Sequence, residues 1–365
     1  MTARSLQAFS MQAGYQPISS PSKPERRMKT VMPRDIVVIG TSAGGLEALR
    51  LLAAELPGSF PASLFIVLHT SPNSPGVLAS ILERAGPLPA VCVNSTEVIR
   101  PGCIYVPAPD HHLLVQNGIA RATRGPRENR FRPAIDPLFR SAAQSYGPRV
   151  IGVILTGGLD DGTAGLAAVK KLGGTAVVQD PKDAMFPSMP ESALKHVEVD
   201  HCVSLPEMPS LLARLTQEPA QEKGAYAVPE NIRIEVDIAK EDNALEAGIL
   251  KLGEPSIYAC PECHGVLLKI KSEGAAQPRF RCHTGHAYSI ESLLSEMQEK
   301  TEQSLWSAIR AIEEHVLLLR HLADHVGNGS GTAQELRQRA ERVQQHVELV
   351  RRAVLEDPTQ ERRAT

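Results

Sequence analysis

Aromatic residues are scarce, at 4% of 365 positions with a single tryptophan, although 42% of the chain is apolar. A core built from it is therefore aliphatic. No apolar run approaches the ~20 residues that a membrane helix requires, so the chain is read as not membrane-inserted. A basic excess is missing as well. Lys and Arg number 39 against 41 Asp and Glu, a formal net charge of −2, which argues against nucleic acid as the main partner. Residues 1–34 are basic and rich in Pro and Ser but lack the apolar centre of a secretory signal, and read as a disordered tail of a cytoplasmic protein. Cysteine is sparse and unevenly spread. Cys92, Cys103 and Cys202 are scattered, whereas Cys260, Cys263 and Cys282 cluster, a pattern that in a reducing compartment speaks for metal before disulfides.

From residue 35 to about 216, short continuous apolar runs alternate with helical patterns. Strands are expected at Ile36–Ile39, Leu64–Leu68, Ile104–Val106, Val150–Leu155, Ala176–Gln179 and Cys202–Leu205. Helices are expected at Gly76–Arg84, Pro137–Tyr146 and Thr163–Leu172. This is the pattern of an α/β fold, a doubly wound and mostly parallel sheet covered on both faces. Asn117-Gly118, between two strand-like runs, predicts an inserted hairpin. Residues 217–256 read as a polar linker with a short strand at Ile232–Val236. The cysteine module follows at 257–289. Two apolar-seamed helical patterns over 290–356, divided by "GNGSG" at 327–331, predict a helical hairpin whose arms bury each other.

The stretch "VVIGTSAGGLEAL" from Val37 places a buried strand, a glycine turn and a helix start in succession. Unpaired N–H groups converge at such a turn, so it suits either a phosphate or a reacting oxygen. It fits G-x-S-x-G, the turn that exposes a serine hydroxyl. It fails G-x-G-x-x-G, because Ser42 stands where the second glycine would admit a pyrophosphate, and no Walker lysine follows. Ser42 after the first strand, His69 after "LFIVL" and Asp160-Asp161 after "VIGVILTGGL" share one topological position. In a parallel sheet, such strand ends converge on one edge. A hydroxyl, an imidazole and a carboxylate there are the parts of an acyl-transfer site. Each also has a plainer reading: Ser42 or Asp161 as helix caps, His69 as a hydrogen-bonded loop residue. The order Ser, His, Asp, with only a tail and one strand before the serine, differs from ordinary α/β hydrolases.

Six segments then carry a resemblance: "VVIGTSAGGLEAL", "FIVLHTSPNSPGVLASIL", "PGCIYVPAPDHHLLV", "RFRPAIDPLF", "VIGVILTGGLDDGTAGL" and "MFPSMPESAL". In this order, over residues 35–216, they resemble the catalytic domain of chemotaxis protein-glutamate methylesterases. The resemblance implies Ser42 as nucleophile, His69 as general base and Asp161, the aspartate directly before glycine, as the orienting carboxylate. It implies hydrolysis of glutamate methyl esters on chemoreceptors, often with glutamine deamidation, and no cofactor for catalysis. The sequence departs from the family in having too few residues before the domain for a receiver module. Ala43 stands where threonine is common, and Gly158 where methionine is common; both changes bear on the acyl pocket.

"RATRGPRENRFR" gathers Arg121, Arg124, Arg127, Arg130 and Arg132, either a surface for an acidic receptor or a solvated, idle loop. Cys260-x2-Cys263 and Cys282-x3-His286 predict a closed, structural zinc site, with His283 or His264 as alternatives for the fourth ligand. The helical hairpin offers a face to a partner or a second copy. A second function class therefore stands beside the esterase: a non-catalytic interaction protein that keeps the fold and acts through its zinc module and helices.

Overall fold

The computed structural model describes residues 32–220, 227–240, 243–271, 277–326 and 330–355. Seven strands build the central sheet: β1 (Ile36–Thr41), β2 (Ser63–Leu68), β3 (Ala90–Val93), β5 (Ile104–Pro107), β8 (Val150–Ile154), β9 (Thr175–Gln179) and β10 (His201–Val203). Their order is β10-β9-β8-β1-β2-β5-β3, and every pairing is parallel. The hairpin expected at Asn117-Gly118 forms between β6 (His112–Gln116) and β7 (Ile119–Thr123), and β4 (Thr96–Val98) completes a separate antiparallel sheet with them.

The strands are apolar on both sides because both sides are covered. Ile36 and Val38 enter one core with α3 (Ile135–Tyr146), α4 (Thr163–Lys171) and α5 (Ser188–His196). Val37 and Ile39 enter the other with α1 (Gly45–Glu55), α2 (Leu78–Ala85) and α6 (Met208–Leu215). Adjacent residues of a strand point to opposite faces, so a strand that serves two cores loses the polar alternation of a one-sided sheet. β1 lies between β2 and β8, with the chain leaving it in opposite directions. The carboxyl ends of these three strands thus border the switch-point crevice.

The described residues of the segment read as a linker are largely packed structure. In place of the expected strand at Ile232–Val236 stands α7 (Glu230–Lys240). Its alternating Ile232, Ile234, Val236 and Ile238 mimic a strand. In the helix, Ile232 and Val236 join the sheet core while Ile234 and Ile238 pack with Ile249 and Leu252. Two separately buried faces, each spaced by four, account for a pattern that reads as a period of two. The basic tail lies outside the described residues as far as Val31, but its end is tied down. Pro33 pairs with Pro219, and Arg34 meets Glu218 at 2.8 Å.

Beyond α7, strands β11 (Gly253–Ala259), β12 (Val266–Ile270), β13 (Arg279–Cys282) and β14 (Ala287–Ser289) form an antiparallel sheet. Helices α8 (Ile290–Val326) and α9 (Gly331–Leu355) then make the expected hairpin. Its seam runs through Ile309 with Val347 and Val354, and through Val316 and Leu319 with Ala340. Among the described residues no helix is long and apolar enough to cross a membrane.

Candidate active site and cysteine cluster

The turn after β1 is held by Thr156, just beyond β8. Ser42 N–H donates to its carbonyl at 3.1 Å, as does the Thr41 hydroxyl at 2.7 Å, and its own hydroxyl donates to Ala43 O at 3.0 Å. Gly44 adopts a left-handed φ of 73°, which lets α1 start at the next residue, Gly45. The crevice brings the three expected residues together. His69 Nδ1 lies 3.1 Å from Ser42 Oγ, and His69 Nε2 lies 2.8 Å from Asp161 Oδ2. Asp161 is ionised and accepts from Nε2–H, which leaves Nδ1 as the acceptor for the serine hydroxyl; the tautomer follows from this network. Phe131 stacks on the ring, with centroids 3.7 Å apart and planes 9° from parallel.

Burial pushes the Asp161 carboxyl up, but the His69 hydrogen bond, then the Ile135 N–H and the Asn129 amide, hold it below the usual carboxylate range. Ile135 N–H donates to Oδ2 at 2.7 Å; Asn129 Nδ2 and Gly162 N–H donate to Oδ1 at 2.8 and 2.9 Å. The neighbouring Asp136 behaves in the opposite way. Burial and the charge of Asp161 raise it to about 7, while its Oδ1 accepts Gly165 N–H at 2.6 Å. Two close carboxyls in one dry site cannot both ionise easily, and the one facing the imidazole keeps the charge. Asp160, the other member of the acidic pair, turns away from His69. Its carboxylate accepts from Ser289 Oγ at 2.7 Å and Gln277 Nε2 at 2.6 Å. Burial carries it to about 6 against those two donors.

The mouth over Ser42 is a cleft of about 430 Å³ lined by Ala43, His69, Thr70, Arg127, Phe131 and Arg132 among others. Its arginine loop is anchored by His112. Ala134 N–H donates to His112 Nδ1 at 3.2 Å, and Nε2–H donates to Pro126 O at 2.9 Å. Burial holds this histidine below its ordinary pKa, which suits a neutral ring with one donor and one acceptor. The five arginines do not form one free cationic surface. Arg132 Nε meets Asp110 at 2.9 Å, Arg124 also binds Asp110, and Arg130 binds Glu296 at 2.6 Å and Glu299 of α8. Charge counted along the chain does not show these pairings: Asp110 lies 14 and 22 positions from its arginines, and Glu296 and Glu299 lie 166 and 169 from theirs. Asn129 of the arginine-rich stretch and Asp136 of the segment "RFRPAIDPLF" are not singled out by the sequence, because their polar side chains point inward, which local composition does not reveal.

In the C-terminal module the ligand atoms of Cys260, Cys263, Cys282 and His286 all lie within 4.8 Å of one another. Cys263 and Cys282 Sγ are 3.5 Å apart, and His286 Nδ1 is 3.5 Å from Cys282 Sγ and 3.7 Å from Cys260 Sγ. A tetrahedral zinc with metal–ligand bonds of ~2.0–2.3 Å has edges of roughly 3.5–3.8 Å, so the group has the dimensions of a metal site. His286 Nε2 lies 3.2 Å from Glu262, the carboxylate partner that commonly orients a metal-bound imidazole. His264 and His283, the alternative ligands, are exposed and outside this group. Left-handed His264 and Gly285, with φ of 60° and 98°, close the two turns.

Residues 37–212 match the CheB methylesterase family. A Leptospira interrogans protein named for protein-glutamate methylesterase/protein-glutamine glutaminase is 38% identical over 193 residues, which is 53% of this chain and 100% of that protein. A Moorella thermoacetica protein-glutamate methylesterase/protein-glutamine glutaminase is 36% identical over 50% of this chain and 44% of its own length. The Thermotoga maritima CheB methylesterase catalytic domain, a crystal structure, is 34% identical, with 50% of this chain and 98% of that one covered at a TM-score of 0.48. The family match ends before α7, so the cysteine module and hairpin stand outside it. With its match to the Leptospira protein complete along that protein's length, the chain belongs to the CheB methylesterase family.

Proposed function

We propose that the protein hydrolyses glutamate γ-methyl esters on chemoreceptors, and deamidates glutamine side chains, with Ser42 as nucleophile, His69 as base and Asp161 as orienting carboxylate. The names of its relatives support the substrate class. The observation that carries the mechanism is the unbroken chain of hydrogen bonds from Ser42 Oγ through the imidazole to Asp161, assembled from three separate strand ends.

In the forward step Ser42 Oγ attacks the ester carbonyl as its proton passes to His69 Nδ1. The imidazolium so formed faces ionised Asp161 through Nε2–H. Negative charge on the carbonyl oxygen falls to the N–H groups of Ala43 and Gly44 at the start of α1, each worth ~3 kcal/mol in comparable acyl-transfer sites. His69 returns the proton to the leaving oxygen, methanol departs, and an acyl-serine remains. Water then attacks by the same route, giving the glutamate carboxylate and free Ser42. A glutamine substrate follows these steps with ammonia as leaving group. Arg127, on the rim of the cleft, supplies positive charge toward an acidic receptor surface.

Cys260, Cys263, Cys282 and His286 would hold a structural zinc, whose contribution when bound is to fold its module. Four protein ligands leave no open position for chemistry. The non-catalytic alternative has nothing comparable to the aligned triad in its favour. The test is methanol release from methylated receptor membranes. Wild type should release it and Ser42→Ala should not, with an unchanged melting temperature; full activity in Ser42→Ala would end this reading.

A further inference from the structure

The loop that caps His69 is built as much by the C-terminal module as by the catalytic domain. Arg127 O accepts Ala287 N–H at 3.1 Å and Asn129 N–H donates to Ala287 O at 2.8 Å, so the loop is joined to β14 by one parallel bridge between Glu128 and Ala287. Its next side chains leave in turn for the same module. Glu128 receives Arg281 of β13 at 2.8 Å. Asn129 meets Ser289 and Ser292. Arg130 reaches Ser295 Oγ at 2.8 Å and Glu296 at 2.6 Å. The residue after these three is Phe131, stacked on the imidazole.

Asn129 is the link with chemical consequence. The residue is 6% exposed and sits at a left-handed φ of 48°. Nδ2 donates to Asp161 Oδ1 at 2.8 Å and to Asp136 Oδ2 at 3.1 Å. Oδ1 accepts Ser289 N–H at 2.9 Å and Ser292 Oγ–H at 3.1 Å. A backbone N–H can only donate and an ionised carboxylate can only accept, so the amide has one permitted orientation, with every hydrogen-bonding position filled. Among the described residues both donors to its carbonyl come from β14 and the start of α8. The second of them is itself tied to Ser289 Oγ, which also holds Asp160 at 2.7 Å.

We propose that Asn129 is a positioning residue for Asp161, and that Ser289 and Ser292 set its orientation, so that the module outside the family match is part of the hydrolytic site. Asp161 orients His69; Asn129 restrains rotation of that carboxylate; the C-terminal serines restrain Asn129. This rests on Ser42, His69 and Asp161 acting as proposed above, and the two claims separate experimentally. Labelling of full-length wild type by a fluorophosphonate, read as a mass increment on Ser42, tests the triad alone, and no labelling would reject it.

With labelling in hand, the inference is tested on Asn129→Leu and Ser292→Ala in the full chain, using p-nitrophenyl acetate. Loss of carboxylate alignment acts on the transition state, so kcat should fall about 10–100-fold in Asn129→Leu and less in Ser292→Ala. KM should stay within about twofold and the fluorophosphonate labelling rate should drop in parallel with kcat. A purely structural role would lower the melting temperature without that split. Ser292→Ala removes one hydroxyl, with its bonds to Asn129 Oδ1 and Ser289 O, and leaves the Ser292 N–H bonded to Ser289 Oγ, so it decides the matter if Asn129→Leu does not fold. Wild-type kcat and labelling rate in Ser292→Ala would overturn the dependence on the C-terminal module; wild-type values in a folded Asn129→Leu would overturn the whole inference.

Discussion

Replacing Glu128 with glutamine should destabilise the protein at neutral pH by an amount that shrinks in acid. The Glu128 side chain is 2% exposed and faces Arg140 of α3, 1% exposed, and Arg281 of β13, fully buried. Burial alone would push its carboxyl up, but Arg140 and then Arg281 reverse this and bring it to about 2 from an ordinary 4.5. That difference corresponds to about 3 kcal/mol. Mutational precedent for breaking a buried pair is similar, about 3–5 kcal/mol, because the stranded charge cannot reach water. For roughly 300 residues unfolding together, each kcal/mol moves the midpoint by about 1.5 °C, so a loss of about 5 °C is expected at pH 7. The folded carboxyl is depressed, so its contribution is fully present above 4.5 and disappears as pH falls toward 2. Melting curves of wild type and Glu128→Gln by circular dichroism, at pH 7 and pH 3, give both numbers. Equal midpoints at pH 7, or a gap that does not narrow at pH 3, would refute the reasoning. Adding Arg281→Met to Glu128→Gln should recover part of the loss, since the second change removes the stranded cation.

Asp161→Asn should leave the fold intact and lower kcat by about 10⁴, as wrong-tautomer imidazoles do in serine hydrolases; this is read from ester turnover at saturating substrate. Metal analysis of the purified chain should find one zinc per protein. Cys282→Ser should lose it and melt at lower temperature. Arg127→Ala should weaken hydrolysis of receptor esters and flatten its dependence on salt while leaving p-nitrophenyl acetate turnover unchanged.

The candidate crevice was legible because its parts stand where sequence speaks plainly. Continuous apolar runs gave β1, β2 and β8, and chemistry-bearing residues stood just past each one. Parallel topology alone then predicts that Ser42, His69 and Asp161 meet. The support around them was hidden for a different reason. Asn129 lies amid five arginines and looked like part of a solvated loop, yet its partners Ser289 and Ser292 are 160 and 163 residues away. No local period records such a contact. Helix α7 failed for a third reason, since its isoleucines serve two cores at once and their combined spacing imitates a strand. The short β3 and the helices α5 and α6 gave no clear period to find.

The buried ions also constrain where this polypeptide can be divided. Arg140 stands among Glu128, Asp136 and Glu235, and Glu235 in turn takes Arg279 at 3.0 Å. A fragment ending near residue 216 sheds Glu235 together with Arg279 and Arg281, and keeps Arg140 with two acids, Glu128 and Asp136. One ending near 252 retains Glu235 but discards both later arginines, which leaves three acids sharing a single guanidinium. The shorter fragment should therefore be the easier of the two to isolate, and any graft of this module onto another esterase would have to transfer Glu235 with the arginines it answers.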